Sequence, residues 1–280
     1  MKRRELLGAF AAAPLLAHAA LPSPRIVSIT GGFTEIVYAL GGESALVGTD
    51  ITSLWPEAAQ RTPKVGYMRT LSAEGLLSLR PTAVLATDEA GPPAVLEQLR
   101  GAGVALELVH ADHSFAEVQR KVGAAARVLG RVAEGKALDD RLARDWQATQ
   151  QAVAAASARR RRAPRVLFVM SRTGTPQVAG THTAAHAVIG MAGGVNAMTA
   201  YAGYRAMTAE SAAAAAPDVV LVMQEMFDAA GSAEQFWAGQ PMLQLTPAAR
   251  ERRLVAMDSL YLLGFGPRLP QAVRELASRI

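Results

Sequence analysis

The chain of 280 residues has no cysteine. Disulfides, thiolate metal sites and cysteine nucleophiles are therefore excluded together, and the absence fits an oxidising compartment without requiring one. Catalytic signatures are also missing. There is no G-x-S-x-G elbow, no H-E-x-x-H pair and no P-loop, and Gly31-Gly32 lacks the spacing of a dinucleotide fingerprint. No apolar run is long enough to span a bilayer: the one near the N-terminus, Leu6 to Leu16, is short and no second one follows. The densest basic run, Arg159 to Arg162 with Arg165, has no interleaved aromatics and sits at the end of an expected helix. It reads as a solvated helix end favoured by the dipole rather than a nucleic-acid site.

What is present begins with Lys2-Arg3-Arg4, the apolar stretch and Ala17-His18-Ala19, the order of an export signal with a small-x-small cleavage site. Residues 1–19 are assigned to it, which predicts a periplasmic location. The paired arginines leave the general secretory and twin-arginine routes both open. Removing the segment lowers the formal charge from +5 to +3, an excess that suits an anionic ligand but not nucleic acid. With 50% hydrophobic residues the remainder can bury a sizeable core.

The remainder says one thing twice. Leu71-Ser72-Ala73-Glu74, a helix-forming run, Pro81 and the strand-like Thr82–Ala86 return as Met207-Thr208-Ala209-Glu210, alanines, Pro217 and Asp218–Val222. Each copy follows a glycine pair, Gly41-Gly42 or Gly193-Gly194, and a tyrosine-arginine segment, Tyr67-Met68-Arg69 or Tyr204-Arg205. Arg25–Ile29, leading through a small-residue loop into the helical Ile36–Leu40, opens a strand-loop-helix series typical of parallel α/β sheets. These patterns predict an N-terminal α/β lobe over 24–111, a helical connector over 112–163 and a C-terminal α/β lobe over 164–280. Within the connector, a helix from Arg131 to about Arg159 would reach roughly 42 Å, longer than a lobe interior needs. The expected fold is thus two α/β lobes with mainly parallel sheets, clamped by a long connecting helix, with ligand bound between loops at the C-terminal ends of the strands.

Two groups of residues suit chemistry in such a cleft. His182 and His186, at i and i+4, form a metal pair if a helix carries both, although no nearby carboxylate or third histidine completes it. The loop Lys64-Val65-Gly66-Tyr67-Met68-Arg69-Thr70 offers a phenol and a guanidinium two positions apart, able to point the same way from extended chain. A phenol binds ferric iron as phenolate, and a neighbouring cation favours that anion. The plainer alternative is a half-buried tyrosine beside a surface arginine.

Val65–Gly75 resembles the signature loop of the periplasmic haem-binding proteins that feed haem ABC importers. The resemblance continues through Val178-Ala179-Gly180-Thr181-His182-Thr183-Ala184-Ala185 and Met191–Ala197 to Leu262-Leu263-Gly264-Phe265-Gly266-Pro267-Arg268. It implies that haem is the transported ligand, that Tyr67 is its axial iron ligand with Gly66 and Arg69 in the same pocket, and that Arg69 stabilises the phenolate. His186 stands where the family pattern has an aspartate, so His182 is the better candidate for ligating a second haem. The resemblance further implies that Glu74 and Glu210, one on each lobe, dock onto arginines of an ABC permease dimer, and that the chain is not an enzyme. A cobalamin or ferric-siderophore binder of the same class is the alternative; a periplasmic metal-dependent enzyme using His182 and His186 is the third reading.

Overall fold

A computed structural model describes residues 24–171 and 174–280. The export-signal assignment for residues 1–19 lies outside the described residues. The N-terminal lobe runs β1 (Ile26–Ser28), α1 (Gly31–Ala39), β2 (Leu46–Thr49), α2 (Ala73–Ser78), β3 (Ala83–Thr87), α3 (Pro93–Gly101) and β4 (Ala105–Val109). Its sheet is parallel, in the order β2-β1-β3-β4. β1 and β3 are buried along their whole length, which is why each reads as an unbroken small or apolar run rather than an alternation.

Two helices follow, α4 (Phe115–Leu129) and α5 (Val132–Ala158), separated by Gly130 in a left-handed conformation at φ 67°. With 27 residues, α5 is about 40 Å long. It packs on α4 of one side and on the C-terminal helix of the other. Gly135 lets α5 approach α4 closely, because a Cβ there would strike Ala126. Phe115 stacks on Trp146 at 5.0 Å, and Thr149 donates to the Pro270 carbonyl at 3.0 Å.

The C-terminal lobe contains β5 (Arg165–Met170), β6 (Gln177–Ala179), α6 (Ala184–Met191), β7 (Val195–Asn196), β8 (Tyr204–Ala206), α7 (Ala209–Ala215), β9 (Val219–Met223), α8 (Gln224–Ala230), α9 (Ala233–Ala238), α10 (Pro247–Arg250), β10 (Leu254–Met257), α11 (Ser259–Leu263) and α12 (Leu269–Arg279). β10, β9, β5 and β7 pair in parallel, whereas β6 and β8 extend the sheet antiparallel. The repeated strand-loop-helix scheme expected for this lobe therefore holds for its centre and gives way at the β6–β8 edge. The basic run becomes a set of staples: Arg162 makes a bidentate pair with Asp218 at 2.6 and 2.7 Å, Arg165 donates to the Ala215 carbonyl, and Arg160 donates to Ala277.

The lobes share one core. A single cluster of buried side chains includes Phe33, Ile36 and Leu85 of the first lobe, Val122 and Leu138 of the connecting helices, and Phe168, Leu262 and Leu276 of the second. At its edge the N-terminus of α1 lies against the segment after α11 so tightly that a Cβ on Gly32 would collide with the Gly264 carbonyl oxygen. Two polar bridges flank that contact. Arg268 grips buried Glu35 through Nε (2.9 Å) and a terminal nitrogen (2.7 Å), and Lys121 Nζ donates to the Phe265 carbonyl at 3.3 Å. Burial pushes the Glu35 carboxyl up, and Arg268 pulls it back. Arg268 also lies over the rings of Trp55 (5.2 Å) and Tyr261 (5.1 Å), one from each lobe.

Gly32→Ala is expected to destabilise the protein by about 1–3 kcal/mol in urea denaturation, because backbone on both sides must move. Gly101→Ala is the control: nothing lies within 4 Å of a Cβ there. It should cost nothing and add up to about 1 kcal/mol.

Candidate functional site

The central parallel strands of both lobes point their C-terminal ends at a cavity of about 660 Å³, within the usual range of small-molecule sites. Ile51, Leu54, Met170, Met223, Leu263 and Phe265 supply much of its apolar wall.

Tyr67 and Arg69 line the N-terminal side. Their loop is tied down on both flanks. Val65 N–H donates to Thr49 and Ile51 N–H to Gly66, while Gly91 N–H donates to Met68 and Leu71 N–H to Gly91, all at 2.9–3.0 Å. Gly66 takes φ +95°, a conformation that side chains resist, and so turns the chain for Tyr67 to face inward while Met68 is buried behind it. Lys64 serves the scaffold, bonding Thr49 Oγ1 and the carbonyls of Ser53 and Ala59. Arg69 has the Tyr67 hydroxyl as an electrostatic partner and pairs with Glu89 at 3.0 Å. Burial alone would lower Arg69, but these two partners outweigh it and hold the guanidinium above its ordinary range. The phenol and guanidinium that sequence spacing brings together lie together on the cavity wall, with Tyr67 half-buried and the Arg69 side chain 52% exposed, as the plainer alternative also expects.

His182 lines the same cavity from the C-terminal lobe, at φ 56° in the loop before α6. Thr183 caps α6 by accepting the His186 N–H at 3.1 Å. His186 turns elsewhere, its Nδ1 3.4 Å from the Asn196 side chain. The two histidines therefore do not converge as a metal pair, because the turn at His182 precedes the helix instead of belonging to it. Among the described residues no three histidine or carboxylate side chains assemble as a metal cluster.

Glu74 and Glu210 lie away from the cavity, exposed in the first turns of α2 and α7. Capping is done by their neighbours: Ser72 accepts from Gly75 N–H, and Thr208 forms a reciprocal box with Ser211. Glu210 is held below the usual carboxylate range, first by the backbone N–H at the helix start and then by Thr208.

Three features of the site escaped the sequence reading. Tyr204, noted there only as part of the repeat, lines the cavity from the C-terminal lobe. Its hydroxyl is pushed up to about 12, first by burial and then by the proximity of Tyr67 and Glu89. The residue is still 38% exposed, since a cavity wall is open to water while protein surrounds it on most sides. Second, the floor holds a buried ion pair, Glu117 with Lys121, each only 2% exposed. Burial lowers the Lys121 ammonium and Glu117 restores it in part, while Glu117 also accepts the His113 N–H at 2.7 Å. Third, among the described residues the cations of the cavity wall, Arg69 and Lys121, each have a carboxylate partner within it, and Glu225, hydrogen-bonded to Ser259 at 2.6 Å, adds a further negative group.

The model of a family described as periplasmic binding proteins matches residues 26–261. Among solved structures, the chain is similar to BhuT, a periplasmic haem-binding protein in complex with two haems, at 47% identity and a TM-score of 0.84 over 91% of this chain and 97% of that one. It is also similar to RhuT from Roseiflexus sp. RS-1, a periplasmic haem-binding protein in apo form, at 38% identity and a TM-score of 0.83, covering 92% and 97% of the two chains. A shorter stretch of 84 residues is 33% identical to the vitamin B12-binding protein of Vibrio vulnificus strain YJ016, covering 30% of this chain and 31% of that protein.

Glu117→Gln should leave the Lys121 charge buried without its counter-ion and cost about 3–5 kcal/mol in denaturant unfolding at neutral pH. The double variant with Lys121→Met is expected to recover most of that loss, as a double-mutant cycle would record.

Proposed function

We propose that this chain, which belongs to the periplasmic binding protein family, captures haem between its lobes and delivers it to an ABC importer in the inner membrane. The observation that carries this reading is the Tyr67–Arg69 pair on the wall of a largely apolar interlobe cavity. Tyr67 supplies an oxygen ligand to ferric iron, Arg69 places a positive charge beside that oxygen, Gly66 sets the angle of the loop, and the aliphatic and methionine side chains take the porphyrin faces. The likeness to BhuT and RhuT over nearly their whole lengths supports haem as the cargo. A cobalamin ligand has the support of the shorter local similarity, but the phenol-guanidinium pair suits a ferric centre that needs an anionic ligand. The role is transport rather than catalysis, since iron coordination is the only bond-making it requires.

Because Arg69 and Lys121, the described wall cations, are already paired, the open side of the cleft suits the propionates, where water solvates them. His182 is our candidate ligand for a second, stacked haem. Glu74 and Glu210 are our candidates for docking on permease arginines: they are exposed, matched across the lobes, and remote from the cavity. Export precedes all of this, by the secretory or the twin-arginine route.

Hemin added to the purified protein should give a high-spin ferric spectrum with a tyrosinate charge-transfer band. That band is expected to vanish in Tyr67→Phe while the folded circular-dichroism spectrum persists; an unchanged spectrum and affinity would remove Tyr67 from the iron. In the same titration, saturation at two equivalents that falls to one in His182→Ala is the result expected of stacked haems, and saturation at one equivalent in the wild type dismisses the second site.

For docking, the assay is haem uptake into vesicles carrying the permease. The double variant Glu74→Lys with Glu210→Lys should bind hemin like the wild type but deliver it poorly, since a desolvated ion pair at an interface is worth several kcal/mol when one partner is lost. Normal delivery would leave both glutamates as ordinary helix-start residues.

A further inference from the structure

Asp50 is a buried acid that iron coordination does not use. It follows β2, is 0% exposed, and stands behind the cavity wall rather than on it. A carboxylate in such a place is unfavourable unless donors surround it. Here they do: Thr52 Oγ1 lies 2.9 Å from both carboxylate oxygens, Ser53 Oγ donates at 3.0 Å, and the backbone N–H groups of Thr30 and Thr52 complete the set. Burial pushes the carboxyl up, and these donors pull it back. The same residues reach outward in two directions. Toward α1, Gly31 N–H donates to Thr52 Oγ1 at 2.9 Å, and the Ser53 and Thr34 hydroxyls share a bond of 2.7 Å. Toward the tyrosine loop, Ile51 N–H donates to the Gly66 carbonyl and Lys64 Nζ to the Ser53 carbonyl, both at 3.0 Å. A Cβ on Gly31 would overlap both the Thr52 carbonyl oxygen and Leu260, so this loop also abuts the junction between the lobes.

We propose that Asp50 is a positioning residue of the haem site, whose carboxylate holds the segment Ile51–Leu54 and through it both the apolar wall and the Gly66–Tyr67 turn. This rests on the haem reading, with Tyr67 as the axial ligand. Ile51 and Leu54 line the cavity although they are 45% and 40% exposed, so little packing of their own keeps them in place. The bonds behind them do so instead. A flat, rigid ligand tied to iron at one point and to apolar side chains at others needs both at a fixed separation, and a loop free to slide would have to be ordered on binding. A carboxylate suits the task because it accepts from several converging donors and donates to none. Asparagine would turn an NH2 group toward some of those donors, and an apolar residue would leave all of them unsatisfied.

The test compares wild type, Asp50→Asn, Ser53→Ala and Leu243→Ala. Ser53→Ala removes one donor and keeps the charge, so it decides the matter alone if Asp50→Asn does not fold. Leu243 is buried in the separate apolar cluster of the C-terminal lobe and does not line the cavity; its truncation lowers stability without touching the loop. In the ligand-free protein, NMR-detected amide exchange at Gly31 and Ile51 should be about tenfold faster in Asp50→Asn than in Leu243→Ala, with Ser53→Ala between them. With hemin, Asp50→Asn should bind about tenfold more weakly. Its iron–phenolate stretch in resonance Raman spectra should be displaced, that of Ser53→Ala less so, and that of Leu243→Ala not at all. Exchange, affinity and stretch at wild-type values in the Asp50 and Ser53 variants that fold overturn the proposal. So does an equal displacement in Leu243→Ala, because general loss of stability would then account for the effect. Failure of the haem reading itself looks different: no tyrosinate band in the wild type, whatever the exchange rates.

Discussion

The geometry of the cleft depends on a contact with no side chain in it. Gly32 at the start of α1 meets the Gly264 carbonyl with no room for even a methyl group. Around this backbone approach the two lobes share a continuous core, and α5 braces them from the other side through α4 and α12. Burying Glu35 at the same junction is unfavourable for an isolated carboxylate, and the bidentate grip of Arg268 offsets that cost. A pair of lobes joined in this way is a stiff clamp. Its cavity is largely formed before a ligand arrives, so little conformational entropy is lost on binding.

The same junction explains which parts of the fold were legible. β5 appears over the residues its apolar run marks, and the break between α4 and α5 falls at Gly130, where a left-handed cap needs glycine. α1 starts at Gly31, five residues before the expected Ile36. Gly31 and Gly32 are poor helix formers, and their presence inside the helix reflects the close approach of Leu260 and Gly264, a tertiary demand that overrides propensity. β2 went unnoticed because it is short and contains Gly48, and the antiparallel β6 and β8 because each has only three residues.

In the site, local spacing revealed Tyr67 and Arg69, since both lie on one loop. Glu117 and Lys121 stand at i and i+4, a spacing that usually marks a solvated helix face; only the opposite lobe, closing over α4, makes that pair a buried floor. Glu89 and Tyr204 come from separate strand ends and meet Tyr67 only through the fold. The repeat in the sequence contains Tyr204 without marking it for the site, and its electrostatic setting differs from that of Tyr67 because Arg205 turns to the Tyr201 ring.

The arginine staples at the end of α5 bear on how the protein travels. Arg160, Arg162 and Arg165 are committed to Ala277, Asp218 and Ala215. Their charges are thereby partly neutralised or turned toward backbone oxygens of the same lobe, and the run that looks most polycationic in the sequence presents a weaker field to its surroundings. A carrier moving among anionic lipid headgroups and cell-wall polymers would be slowed by a bare patch of that kind. Internal bonds at these side chains leave less bare charge for non-specific adhesion to such surfaces.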